Sequence, residues 1–263
     1  MLRNAFAYIT RKWPKSLLLF AIILLMGTLS LIGLSMKGAT QKASSESLGS
    51  ITNSFSMQIN RRTNPGTPRG AGNLRGEDIE KISQEEGITS SIKRINAIAD
   101  ILDHEIIETE ETLQNQSPER AKHFKNTLMV TGVNDSSKED KFVSGAYKLV
   151  QGEHLTDKDK NQILMHEDLA KKNGLKVGDK VRLKSNLYDA DNEKGANETV
   201  EVTIKGLFSG KNQAPLTYAQ ELYEDTLISD LDTAAKLYGN TVQTATYEDA
   251  TFFAKGDQDL DAL

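Results

Sequence analysis

His166, Glu167 and Asp168 stand together, and His166-Glu167-Asp168-Leu169-Ala170 opens like the helical zinc-protease motif. In that motif two histidines one turn apart hold the metal. Ala170 occupies the second ligand position, so the stretch reads as the start of a helix. Asp189, Asp191 and Glu193 have the spacing of a calcium loop. Lys194 stands where that loop needs glycine and Val200 where it needs a bidentate glutamate, so a solvated hairpin loop is expected. Ser90-Ser91-Ile92-Lys93 has a serine–lysine spacing, but no lysine–threonine–glycine partner follows. Gly206-Leu207-Phe208-Ser209-Gly210 carries its serine one place too late for a nucleophile elbow. Gly70, Gly72 and Gly76 miss the dinucleotide spacing, and no phosphate loop exists. His104, His123, His154 and His166 are scattered without ligand spacing and read as surface residues. With no cysteine in the chain, thiolate chemistry, disulfides and zinc–sulfur sites are excluded. The residues point to no catalysis, no cofactor and no metal.

One charge pattern stands out. Arg61, Arg62, Arg69 and Arg75 lie within fifteen residues that contain no acid, in a stretch rich in Pro and Gly. Such a loop can touch anionic lipid, cell-wall polymer or an acidic peptide; it can equally be a solvated loop.

The elements around these residues follow from periodicity. Ile51 to Ile59 alternates as a strand, Glu77 to Glu86 is a short acidic helix with Ile79 and Ile82 inward, and Ile88 to Ala99 is a strand. Asp100 to Lys125 reads as a polar loop with a helical piece broken at Pro118. Leu128 to Val133 is a strand, and Ile163 to Met165 feeds a helix from His166 to Asn173 that Gly174 ends. Val177 to Leu183 turns into a strand, a polar loop spans Asn186 to Asn197, and Val200, Val202 and Ile204 alternate with period two. Thr226 to Ser229 leads into a helix with Asp230 as N-cap, and Ala250 to Ala254 is a last strand. Short strands interrupted by single helices indicate an α+β class.

The 263 residues carry a net charge of −5, unevenly spread. Residues 1–36 hold +4 and no acid, so the remainder holds −9. An acidic bulk argues against a nucleic-acid partner. Ser16 to Met36 contains no charged residue and, as a helix, would span roughly 31 Å, the thickness of a bilayer's hydrocarbon core. The basic residues before it place the N-terminus in the cytoplasm. A cleaved signal peptide is the competing reading, but its apolar region would be shorter and Lys37 and Lys42 sit where cleavage would fall. Leu2, Phe6, Ile9 and Trp13 share one face of a short helix suited to the lipid interface. Ala21, Thr28 and Ser35 recur every seven residues and offer a small-residue face for helix packing. The expected organisation is an interfacial helix at 1–15, a transmembrane helix at 16–36, a stalk at 37–50 and an extracytoplasmic α+β domain at 51–263. The acidic stretch up to Leu263 reads as an interruption, so this last domain is expected to be C-terminally incomplete.

The order of these features resembles permease subunits of MacB- and FtsX-like ABC transporters. The similarity runs through Gly152-Glu153-His154-Leu155-Thr156-Asp157, through Ile163 to Ala170 followed by Gly174 to Val181, and through Val202 to Phe208 and Leu231 to Gly239. Ser54 to Arg62, with Gly66 to Asn73, is most similar to Vex-type permeases of Gram-positive bacteria. The resemblance implies a MacB-like core domain outside the membrane, four spans in an intact protein, a separate ATPase subunit that holds ATP, and a second permease subunit. It also implies a peptide-like or amphiphilic substrate moved by mechanical coupling, with membrane lipid around the spans. Two other readings stand beside it: a single-span extracellular binding or sensing module, and a secreted domain released by signal cleavage.

Overall fold

The structure is a computed structural model that describes residues 54–60, 62, 74–212 and 221–254, together with Pro14, Leu24, Met26 and Thr28, all four helical. Leu2, Phe6, Ile9, Trp13, Ala21 and Ser35 lie outside the described residues, as do Arg61, Arg69 and most of the expected span. Among the described residues no helix is long and apolar enough to cross a membrane. The chain divides into two units, Met1–Asn53 and Ser54–Leu263.

In the second unit the chain order is β1 (Ser54–Gln58), α1 (Gly76–Ser83), β2 (Ile88–Leu102), α2 (Glu110–Gln114), α3 (Pro118–His123), β3 (Thr127–Val133), a 3-10 turn (Ser136–Lys138), α4 (Asp140–Val143), β4 (Lys148–Gly152), β5 (Gln162–His166), α5 (Glu167–Lys172), β6 (Lys180–Ser185), β7 (Thr199–Ser209), β8 (Thr226–Asp230), α6 (Leu231–Lys236) and β9 (Asp249–Ala254). This is the α+β class the periodicity indicated.

The pairings close on themselves. β2 pairs β3, β3 pairs β8 in parallel, and β8 pairs β5. β5 runs parallel to β7, β7 pairs β6, and β6 returns to β2. Six strands therefore form a ring, and a closed ring has no free edge. A flange of β9 and then β1 extends from the first half of β2, and β4 pairs the end of β7.

Period two explains the filling of the ring. Ile163 and Met165 join one buried cluster with Ala97, Ala99, Val130, Leu183, Val202 and Leu227. Leu164, between them in sequence, belongs to a second cluster with Val133, Tyr147, Leu155, Phe208 and Ile228. Alternate residues thus serve opposite faces of the same strand. α6 packs over β2, β3 and β8. It comes so close to β3 that a Cβ on Gly132 would lie 2.5 Å from the Cβ of Ala234, so only glycine fits.

Four expectations need correction. β2 runs past Ala99 to Leu102, because the Asp100 carboxylate that interrupts the apolar run accepts hydrogen bonds from Thr127 Oγ1 (2.6 Å) and Asn186 Nδ2 (3.0 Å). Pro118 starts α3 behind the N-cap Ser117 instead of breaking a helix; its missing N–H costs nothing at a helix start. The loop from Asn186 to Asn197 is not simply solvated. Asn186, Asp189, Asp191 and Asn192 are buried, and the Asn192 side chain spans the loop to Asn186 O (3.1 Å), Ala196 O (2.8 Å) and Ala196 N (2.7 Å). Asp189 also accepts a hydrogen bond from the Tyr238 hydroxyl. Finally, His166 is only 1% exposed and caps α5, so it is not a surface histidine. Its Nδ1 accepts from the Asp168 N–H (3.2 Å), and its Nε2 lies 2.9 Å from the Gly210 carbonyl oxygen.

Candidate functional site

The parallel strands β3 and β8 end side by side at Val133 and Asp230, where β2 has not yet joined the ring. Asn134, the first residue past β3, continues the ladder with its side chain. Its Oδ1 accepts the Lys93 N–H (2.8 Å) and its Nδ2 donates to the Ser91 carbonyl (2.7 Å). Asp230 folds the other strand end. Its carboxylate accepts from Thr233 N (3.0 Å), Thr233 Oγ1 (2.8 Å) and Gln162 N (3.0 Å). That set caps α6 and anchors the start of β5.

Two loops complete the walls. Asp135 accepts from Ser137 N (3.0 Å) and Ser137 Oγ (2.6 Å), and lies 3.2 Å from Lys138 Nζ. Burial pushes its carboxyl up, but those donors outweigh burial and hold it below the usual range. Asp159 accepts from Thr156 N (2.6 Å) and takes the Lys205 ammonium at 2.8 Å. There too burial is outweighed, and the carboxyl is held low. On the α1 side, Lys93 Nζ lies 3.3 Å from Glu80, whose carboxyl is lowered first by Gln84 and then by Lys93. The result is a cleft of about 660 Å3 lined by six carboxylates and three lysines.

The arrangement suits binding better than catalysis. Ser90, Ser91 and Lys93 line the cleft, with the Lys93 ammonium in an ion pair with Glu80. Among the described residues no group of three His, Cys, Asp or Glu could hold a metal ion.

Two further polar clusters lie outside the cleft. Arg94 of β2 pairs with Asp249 of β9, lies 3.0 Å from Asp140 and 3.9 Å from the buried Glu139, and so ties the flange to α4. Burial alone would lower its pKa, but the three acids reverse the sign and hold it raised. Asp225, just before β8, is fully buried; its Oδ1 accepts the Ile107 N–H at 2.7 Å. Asp225 Oδ2 and Glu224 Oε2 are buried without a hydrogen-bond partner among the described residues. Burial pushes Asp225 up to about 8; Glu224 and Glu108 add to the shift, while the Ile107 N–H and Lys172 oppose it.

Of the basic cluster, Arg62 and Arg75 fall among the described residues. Arg62 N–H bonds Asn60 Oδ1 (3.1 Å) in a turn after β1. Arg75 precedes α1, bridges to Thr246 and lies 3.9 Å from Glu77 with both side chains exposed. The described residues show no contact between the two arginines. The cleft was not singled out from sequence. Asp230 as N-cap and the serine–lysine spacing of Ser90, Ser91 and Lys93 are its legible signs, whereas Asn134 and Asp159 act through loops of no regular period.

This sheet-dominated α+β unit with a polar, binding-type cleft defines the class of protein. Residues 16–261 match the family of MacB-like periplasmic core domains, and the chain belongs to that family. Three solved structures are similar to it. The periplasmic region of MacB from Actinobacillus actinomycetemcomitans is 15% identical, with TM-score 0.43, covering 81% of this chain and 80% of that one. The extracellular domain of the noncanonic ABC-type transporter YknZ from Gram-positive bacteria is 13% identical, with TM-score 0.40 and coverages of 80% and 84%. A permease-protein domain from Porphyromonas gingivalis is 16% identical, with TM-score 0.35 and 72% of each chain covered. No curated protein matches the chain in sequence.

Proposed function

We propose that this chain is a permease subunit of an ABC transporter, anchored by the apolar run at 16–36, with the Ser54–Leu263 unit outside the cytoplasm. The family match carries the reading, because it begins at Ser16, where that apolar run begins, and continues through the folded unit to 261. Leu24 and Met26, helical, apolar and 54% and 64% exposed, suit a segment surrounded by lipid. In this reading the subunit does no chemistry of its own. A separate ATPase binds and hydrolyses ATP, a second permease subunit completes the pair, and the outer unit handles a peptide-like or amphiphilic substrate. Its finer kinship is with Vex-type permeases, and Arg61, Arg62, Arg69 and Arg75 form its contact with an anionic partner. Replacing those four by Gln should weaken transport or partner binding; unchanged activity removes that role.

The lack of cysteine makes topology directly measurable. Val143→Cys, at a position 70% exposed, should react with a membrane-impermeant maleimide in intact cells, whereas Asn4→Cys should react only after lysis. The opposite labelling pattern rules out the reading. An ATPase carrying a phosphate loop should co-purify with the tagged chain from its own host.

A further inference from the structure

We infer that the cleft receives an extended, basic segment of a partner protein, which adds to the open side of β2 as an extra strand. The inference goes beyond the transporter reading and does not depend on it. β2 pairs β9 from Ile88 to Arg94 but pairs β3 only from Arg94 onward. Among the described residues, then, no strand covers the second side of β2 between Ile88 and Lys93. Asn134 shows which backbone groups face that side, since it bonds Lys93 N and Ser91 O. In an antiparallel strand the N–H and C=O of one residue point the same way. The Ser91 N–H therefore points into the cleft next to the carbonyl that Asn134 occupies, and Thr89 and Ser90 beyond it are exposed. An unpaired stretch of this kind is a template for strand addition. Asn134 ends the natural ladder like a stopper, and the cleft beyond it leaves room for the next strand.

Charge selects the occupant. Lys93 and Lys138 are already matched to Glu80 and Asp135. What remains on the lining is Asp157, Asp230 and Asp232, the last sharing Lys236, against Lys160 alone. An anionic lining repels nucleic acid and acidic lipid headgroups and favours Lys or Arg at alternate positions of a strand, whose side chains on one face are two residues apart.

The test uses the full chain in detergent micelles and a fluorescent octapeptide of alternating lysine and valine. Saturable binding with half-saturation below about 1 mM is expected, together with slowed amide exchange at Ser91. The same peptide N-methylated at alternate residues, and a glutamate–valine version, should each bind at least about tenfold more weakly. Ser91→Pro removes the N–H that faces the cleft and none that faces β9, so it should fold and weaken binding about tenfold. Asp157→Lys, at an exposed position, should weaken the lysine peptide and leave the fold intact. Equal binding of the methylated and unmethylated peptides overturns strand addition, and equal binding of the glutamate peptide overturns the basic occupant. No binding of the lysine peptide, or unchanged exchange at Ser91 at saturation, overturns the proposal whatever the behaviour of the variants.

Discussion

Asp225→Asn should stabilise the Ser54–Leu263 unit at neutral and alkaline pH and do little in acid. The carboxyl has an ordinary value of 3.8 and is raised to about 8 in the folded chain. Between those values the folded state holds a proton that the unfolded state has lost. Stability therefore falls as pH rises through that window, is greatest below it, and levels off above about 8. Each pH unit corresponds to at most about 1.4 kcal/mol, an upper bound of about 4 kcal/mol between pH 5 and 8. Local relaxation and water entry lower that cost, so about 1–2 kcal/mol is expected to be recovered. Asparagine keeps the oxygen that accepts the Ile107 N–H and places no charge at the buried, unpartnered Oδ2 position. For a unit of this size the gain corresponds to about 2–8 °C in Tm. The assay is thermal unfolding of both proteins across the range from about pH 5 to 9. The Tm difference should be near zero at the acid end and grow to a plateau. A difference of constant size at every pH, or a variant less stable throughout, refutes the argument that burial keeps this carboxyl protonated.

Arg94→Met should cost about 3–5 kcal/mol, seen in urea unfolding, because it leaves the largely buried Asp249 without its cation, while Glu139 keeps Lys141 nearby. Gly132→Ala should cost about 1–3 kcal/mol, because the new methyl meets Ala234 at a distance neither backbone can relieve alone; a Tm unchanged from the parent contradicts this packing. His166→Ala should lose about 1–3 kcal/mol through the α5 cap and the Gly210 contact, with His166→Asn recovering part of it because asparagine also caps.

Elements with a strong period or a clear cap were legible in the residues. β7 alternates Val200, Val202, Ile204 without interruption, and α6 has Asp230 before it and Gly239 after it. α4 and β4 were missed because four and five residues are too few to show a period, and Val150 of β4 is 49% exposed. The buried character of Asn186, Asp189 and Asn192 was invisible because a polar loop becomes interior only when its own side chains satisfy each other. Ring closure was equally hidden. It rests on β6 meeting both β2 and β7, a long-range choice that alternation allows but does not dictate. The cleft depends on Asn134 taking a main-chain role, and one asparagine after a strand carries no pattern.

The ring constrains how the sequence can change. A one-residue slip in any of its six members would turn that strand's buried side chains outward and oblige every neighbour, round to β6 and β2 again, to slip with it. β1 has no such obligation, since it touches the rest of the sheet through β9 alone. Insertions and deletions should therefore be absorbed at that outer rim, whereas the six closed strands hold their lengths and phase as a set.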